Sequence, residues 1–407
     1  MRQRILFGFL IILLSFFIAF PAFGNYDRDR DHPNKDKGGA VFIMTNSDEG
    51  NVILMYQRSS SGRITYADFF PTGGRGVGVG KTVAIDPLGS QNSLIMSKDG
   101  MYLYAVNAGD DTITAFQVYK NYLKFLDIVP SGGRFPVSLT VHGETLYVLN
   151  AGANDGVNST PANITGFRMT GYQLSPLENS TRDLIVVPQN PSDSESDFPN
   201  ILATPAQVQF TPQANQLVVT IKDGVNAINN SIWVFPVEKD DDYRPSDTPS
   251  IFPTSGPVPF GFTFDFFGRL FVTDAAVGTV TSYRLEDDSV EMIGDGPAET
   301  GQMATCWIVA TRPYSRYVYA ANTGSGTLSA YRVKFDGTLS PVGLFTVKDG
   351  ALNIDTAISR DGRYLYTQNG GLGTVSIFRV RRGGALELLE EVEVTEPVSG
   401  FQGIVAW

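Results

Sequence analysis

The sequence is poor in the residues on which most enzyme chemistry depends. Its 407 residues include one cysteine, Cys306, and two histidines, His32 and His142. A lone cysteine excludes an internal disulfide framework and a cysteine-based zinc cluster, so stability must come from buried apolar area. Two histidines leave few groups that titrate near neutrality. His32 stands in a charged N-terminal stretch. His142 falls where other repeats carry a turn residue, and it is read as a surface turn with no catalytic role. There is no Gly-x-Ser-x-Gly nucleophile elbow. Basic residues do not cluster, and 31 of them against 42 acidic ones give a net charge of −11. That balance excludes the electrostatic footprint of a nucleic-acid or anionic-lipid partner. Sustained helical periodicity is missing as well.

The N-terminus carries Arg2 and Arg4 ahead of an apolar run from Ile5 to Phe20, then Ala22-Phe23-Gly24. This pattern predicts a signal peptide over residues 1–24, cleaved after Gly24, with no membrane insertion afterwards and a secreted or periplasmic mature chain. Residues 25–37 alternate in charge and have almost nothing to bury, so a disordered tether is expected there. One domain then spans 38–407 and is expected to be monomeric.

Within that domain a motif recurs at intervals of roughly 45 to 50 residues, a spacing typical of propeller blades. One copy is Ser97-Lys98-Asp99-Gly100-Met101-Tyr102-Leu103-Tyr104-Ala105-Val106-Asn107-Ala108-Gly109, followed by Thr112-Ile113-Thr114. Another is Ser359-Arg360-Asp361-Gly362-Arg363-Tyr364-Leu365-Tyr366-Thr367-Gln368-Asn369-Gly370-Gly371, followed by Thr374-Val375-Ser376. Each reads as an apolar strand, an Asp-Gly turn, a β-branched and aromatic strand ending in Asn-x-Gly, and an alternating Thr-rich strand. Further copies centre on Val41–Asn46, Leu146–Asn150, Leu217–Thr220, Leu270–Asp274 and Val318–Asn322, which makes seven. The prediction is an all-β, seven-bladed β-propeller with four-stranded blades and almost no helix. The first copy lacks an inner strand, and Gly403–Trp407 falls in phase with the inner strand Asp355–Ser359. The C-terminal strand is therefore expected to pair into blade 1 and close the ring.

The Asp-Gly-x-x-Leu-Tyr-x-x-Asn-x-Gly-x-x-Thr-Ile repeat, with Gly73-Gly74-Arg75-Gly76 and Asp86-Pro87-Leu88-Gly89-Ser90-Gln91, resembles the lactonase family of seven-bladed propellers. This is the family of propeller-type 6-phosphogluconolactonases and carboxymuconate cyclases. The resemblance implies a hydrolase or isomerase of lactones, of the sugar-lactone or muconolactone class, with His and Arg side chains at the mouths of the inner strands. Here the repeats stack those mouths as Ser93, Pro136, Gln207, Gly261, Ile308, Asp355 and Gly403, preceded by Asn92, Phe135, Ala206, Phe260, Trp307, Ile354 and Gln402. Neither column holds a His or an Arg, the groups that would serve ring opening as a base for water and as cations for the oxyanion, and their absence counts against the family reaction.

Several local patterns are expected to be empty. Gly74–Thr82 imitates a phosphate-binding loop but misplaces its first glycine. Asp27, Asp29 and Asp31 imitate the start of a calcium loop but lack its turn glycine. No metal and no cofactor is expected. The recurring Asn107, Asn150, Asn322 and Asn369 are read as turn caps tolerating left-handed φ. Sequons at Asn158, Asn163, Asn179 and Asn229 matter only for a glycosylating source.

The long connections Gly73–Gln91, Ala151–Asn163, Val186–Thr204 and Asp223–Asn230 are predicted to crowd one rim over blades two to four. Within it, Arg75 and Arg134 follow matching Gly-Gly steps and are expected to join Asp86, Gln91, Gln207 and Asp355 around a small polar or anionic ligand. Two readings stay open: an exported lactonase-like enzyme, or a non-catalytic propeller that binds a glycan, small molecule or protein through this rim.

Overall fold

A repeat built from Asp-Gly turns and alternating strands should give antiparallel sheets of four. The computed structural model, which describes residues 38–78, 85–154, 159–184, 203–222, 230–239, 242–286, 289–311 and 316–407, shows seven such sheets arranged as blades. No α-helix occurs among the described residues. The signal-peptide and tether residues, and the imitation calcium loop, lie outside them. No described helix is long and apolar enough to cross a membrane.

Blade 1 runs outward from Ile404–Ala406 through Gly39–Met44 and Val52–Arg58 to Ile64–Pro71. Blade 2 holds Leu94–Met96, Tyr102–Asn107, Thr112–Tyr119 and Tyr122–Pro130, and blade 7 holds Asn353–Ile358, Tyr364–Asn369, Thr374–Val380 and Leu386–Glu393. Blades 3, 4, 5 and 6 begin with the inner strands Pro136–His142, Pro205–Phe210, Pro259–Phe264 and Thr305–Ala310. In blades 3 to 5 the outermost strand is broken into two pieces, both paired to the third strand. Ring closure is as the sequence indicates, with Val41 opposite Ala406, Phe42 opposite Val405 and Ile43 opposite Ile404.

The Asp-Gly turns are local hydrogen-bond devices. Ser97 Oγ donates to Asp99 at 2.6 Å while the Met101 N–H reaches the same carboxylate at 3.0 Å, and Ser359, Asp361 and Arg363 repeat this at 2.6 and 3.1 Å. Tyrosines of the second strands then tie blade to blade. Tyr319 Oη donates to the Gly384 carbonyl of blade 7 and Tyr366 Oη to the Gly62 carbonyl of blade 1. Burying such large rings between sheets supplies the apolar area that no disulfide replaces.

His142 ends its inner strand half-buried, 5.9 Å from the Phe210 ring and 4.9 Å from Tyr243, and burial lowers its pKa. It packs as part of the turn and is not a channel group. Of the sequons, Asn163 is buried and accepts from Asn150 at 2.9 Å, which closes it to a glycan, whereas Asn179 is exposed. Asn158 and Asn229 lie outside the described residues.

The recurring asparagines do not adopt left-handed φ. None of Asn107, Asn150, Asn322 and Asn369 has positive φ. They are fully buried, and in three blades the Nδ2 donates to two hydroxyls of the third strand: Asn107 to Thr112 and Thr114, Asn322 to Thr327 and Ser329, and Asn369 to Thr374 and Ser376. The Thr-x-Thr/Ser pattern of the third strand is the reason the residue recurs. Blade 5 puts Asp274 at this place, where one carboxylate oxygen accepts from Thr279 and Thr281 and the other has no partner among the described residues.

Burial lifts the Asp274 carboxyl to about 6. A carboxyl raised above its unfolded value of about 3.9 favours the folded state in acid and weighs against it as pH rises through the folded value. Asp274→Asn restores the donor used in the other blades. It should raise Tm above pH 6, by up to about 3 kcal/mol of stability, with the gain fading in acid. An unchanged or lower Tm at alkaline pH would count against this account.

Candidate functional site

Connections between blades pair with the turn between second and third strands of the following blade. The Gly109 N–H donates to Arg75 O, Gly152 to Arg134 O, Ala275 to Val258 O and Gly371 to Ala351 O, at 2.9–3.0 Å. Both kinds of connection thus share one face, as the phasing requires. The loops 186–204 and 223–230, the centre of 151–163 and the second half of Gly74–Thr82 lie largely outside the described residues.

The loop Gly73–Gln91 does more than decorate that face. Its final stretch, residues 86–91, turns inward and crosses the propeller axis. Ser90 Oγ donates to Val137 O of blade 3 at 2.8 Å, and the Gln91 N–H to Ala206 O of blade 4 at 3.1 Å. The Ser90 carbonyl accepts from Trp307 Nε1 of blade 6 at 2.9 Å and from Gln402 Nε2 beside blade 1 at 2.8 Å. Gln402 Oε1 in turn accepts from the Leu88 N–H at 3.2 Å. Inner strands with few polar side chains leave backbone groups that need partners, and this segment supplies them.

Six residues were expected to form one polar pocket, and the structure distributes them. Gln91 is buried and fully engaged, its Nε2 donating to Phe262 O and Ile308 O and its Oε1 accepting from the Ile308 N–H at 2.9 Å. Gln207 clasps the same strand of blade 5, accepting from Phe262 N–H at 2.7 Å and donating to Phe262 O at 2.9 Å. Arg75 and Arg134 stay on the exposed face, where Arg134 Nε meets Asp111 at 2.5 Å and Arg75 lies 4.0 Å from Asp110. Only Asp86 and Asp355 remain as axial groups with chemistry to offer.

Strand pairing also corrects the phase of two blades. Inner strands carry a bulge between Pro136 and Ser138, between Thr305 and Trp307 and between Ile354 and Thr356. With the extra residue counted, Ser138 and Trp307, not Pro136 and Ile308, stand level with Asp355. The column still contains no His or Arg.

The cation comes from elsewhere. Lys222 is fully buried, stands 4.7 Å from the centre of the Phe260 ring and donates to the Gly89 carbonyl. It follows the second strand of blade 4 at the place where other blades have Ala108, Ala151, Ala275, Thr323 and Gly370. A lysine in a row of small residues was a legible signal that the sequence reading missed. Burial pulls its ammonium down to about 8 against the opposing pull of Asp86. Asp86 accepts from the Gly89 N–H at 2.9 Å and keeps part of its surface open. Burial pushes its carboxyl up to about 6, with Lys222 acting the other way. Asp355 is buried at the blade 7 bulge, accepts from the Thr356 N–H at 2.9 Å and is raised by burial to about 7. Cys306 shares the neighbourhood, but burial pushes its thiol up to about 12, so it offers no thiolate nucleophile near neutrality. Among the described residues no group of His, Cys, Asp and Glu is suited to hold a metal ion.

A Cβ on Gly261 would lie 2.3 Å from Gln91 Oε1 and 2.7 Å from the Cys306 carbonyl oxygen. Gly261→Ala should therefore displace the crossing segment and cost roughly 1–3 kcal/mol in denaturant unfolding, as overpacking does. Stability equal to that of the parent would show that the segment is not held as described.

Comparisons with known proteins agree on the architecture. A family model described as lactonase, 7-bladed beta-propeller, matches residues 81–159, bearing out the resemblance seen in the repeats. A candidate 6-phosphogluconolactonase of Bacteroides fragilis superposes with a TM-score of 0.66 at 19% identity, covering 90% of this chain and 98% of its own. The periplasmic gluconolactonase of Pseudomonas aeruginosa gives 0.63 at 17%, covering 91% and 99%. A Lactobacillus plantarum protein gives 0.66 at 16%, covering 90% and 100%. At these identities the likeness is one of fold. No curated protein matches the chain.

Proposed function

We propose that the chain is a lactone hydrolase working at the looped end of its axis, with Asp86 as the base for water and Lys222 as the cation for the oxyanion. The observation that carries this reading is a fully buried ammonium and the carboxylate of a partly exposed residue brought together on Gly89, the one on its carbonyl and the other on its N–H. Ester cleavage needs those two functions. Asp86 draws a proton from water as the water oxygen attacks the lactone carbonyl. The Lys222 ammonium stabilises the negative oxygen that develops, and in a water-poor axis that attraction is stronger than in solvent. A sugar lactone is the preferred class, in line with the gluconolactonase names of the structural neighbours. The signal-like N-terminus with Arg2, Arg4 and Ile5–Phe20 supports an exported enzyme acting in the periplasm or outside the cell.

The axis-crossing segment supports a second reading, in which the propeller binds a small polar or anionic ligand, a glycan or a protein without turning it over. A panel of sugar lactones and muconolactones separates the two. The enzyme reading predicts hydrolysis above the spontaneous rate, with kcat/KM falling below about 6 as Asp86 takes up a proton and above about 8 as the Lys222 charge is lost. Lys222→Met and Asp86→Asn should each lower kcat by roughly 100-fold or more with the propeller still folded by circular dichroism. Rates indistinguishable from buffer across the panel would leave only the binding reading.

A further inference from the structure

Basic residues that are scattered along the sequence are gathered by the order of the blades. In an antiparallel blade the turn from first to second strand and the turn from third to outer strand lie on one face, here the face opposite Arg75 and Arg134. On it, the turns of blades 6 and 7 carry Arg316, Lys334, Arg360, Arg363, Arg381 and Arg382, against the acids Asp336 and Asp361. Arg363 is paired with Asp361 and Arg381 with Glu387. Arg316, Lys334, Arg360 and Arg382 are exposed and have no acidic partner among the described residues. The matching connections of blades 4 and 5 are acidic in sequence, Glu238-Lys239-Asp240-Asp241-Asp242 and Glu286-Asp287-Asp288. The net charge of −11, which taken alone excludes an anionic-lipid partner, averages over both sectors.

Beside the cations stand three phenylalanines with their rings in water. Phe335 occupies the tip of the blade 6 turn and is 97% exposed, and Phe266 and Phe267 in a turn of blade 5 are 63% and 67% exposed. Hydrogen bonds fix them there. The buried Asp265 accepts from the Phe267 and Arg269 N–H groups at 2.8 and 2.9 Å and from Arg269 Nε at 2.5 Å. Arg269 Nη1 then donates to the Phe335 carbonyl at 2.7 Å, which joins the two turns. The arginine turn of blade 7 is tied to blade 6 in the same way, through Tyr319 Oη and the Gly384 carbonyl at 2.9 Å. Apolar rings held out in solvent beside unpaired cations mark a contact surface.

The described chain also begins on this face. Gly39 pairs with Arg58 at the end of the third strand of blade 1, and Trp407, with the Arg360 guanidinium 4.0 Å from its ring, closes the same end. The sequence that precedes Gly38 contains the apolar run Ile5–Phe20. The face from which the chain leads back to a membrane-directed stretch is thus the one that carries the cations and the rings.

We propose that this face docks on an anionic lipid bilayer, with Arg316, Lys334, Arg360 and Arg382 over the phosphates and Phe335, Phe266 and Phe267 entering the boundary between headgroups and acyl chains. Cations and apolar side chains on protruding turns match the two layers of such a surface, charge outermost and hydrocarbon beneath. Docked in this way, the propeller turns its looped face and residues 86–91 away from the membrane. The inference does not depend on the hydrolase reading.

Vesicle sedimentation tests it. The chain from Asn25 onward, the form expected after export, is mixed with vesicles of phosphatidylcholine alone or with roughly one third phosphatidylglycerol. Binding to the anionic vesicles should be about tenfold tighter or more, and should weaken as salt is added. Lys334→Glu combined with Arg382→Glu should cut anionic binding by about tenfold or more, and Phe335→Ser by about fivefold. Arg75→Glu, on the opposite face, should stay within about twofold of the parent. Equal affinity for both vesicles, no binding to either, or a loss from Arg75→Glu as large as from the paired substitution would overturn the proposal. Capture by a soluble acidic polysaccharide with no capture by anionic vesicles would assign the face to a polymer instead and overturn it as well.

Discussion

The constraint on which the rest of this molecule depends is that polar backbone converging on an axis must be paired. Seven inner strands end around one line, and the positions facing it include Gly261, Gly403 and Trp307 rather than a ring of charges. The protein meets the need with its own chain. Residues 86–91 cross the axis and bond strands of blades 3, 4, 5 and 6 and the approach to blade 1. Gln91, which looks like a ligand group in the sequence, clamps this segment to blades 5 and 6, and Gln207 clamps blade 4 to blade 5.

Filling the axis sets the electrostatics of what remains. With solvent largely displaced, burial dominates the pKa of Asp86, Lys222, Asp355 and Cys306 alike, raising the acids and lowering the amine. The direction of each shift brings carboxyls and ammonium toward the neutral range, where a proton can be exchanged at little cost. Arg75 and Arg134 stay outside this regime, beside Asp110 and Asp111 on the exposed face.

The architecture was legible in the sequence because each blade is specified locally. The Ser-x-Asp-Gly turn, the buried tyrosine and the third-strand threonines recur, and Gly403–Trp407 stands in phase as the missing strand. The site was only partly legible. Pattern alone left two inner strands out of phase, with Pro136 two residues and Ile308 one residue from Ser138 and Trp307, which strand pairing puts level with Asp355. The path of residues 86–91 is a tertiary event with no periodic signature. Lys222 did carry a signal, as the one charged residue among Ala108, Ala151, Ala275, Thr323 and Gly370. It becomes informative once the question is which position breaks the repeat rather than which positions obey it. The asparagines taught the opposite lesson, since their recurrence reflects a hydroxyl pair on the next strand and not backbone strain.

The pairing of Val41 with Ala406 has a consequence for the order in which the molecule comes into being. It joins positions almost the whole chain apart, and contacts of such sequence separation form late because the loop they close must first be ordered. Gln402, just before that strand, accepts from the Leu88 N–H and donates to the Ser90 carbonyl, and so ties down the crossing segment that carries Asp86. Sealing the ring and fixing the crossing segment are therefore one event. A nascent chain that has not delivered this strand has blades but an unsealed axis.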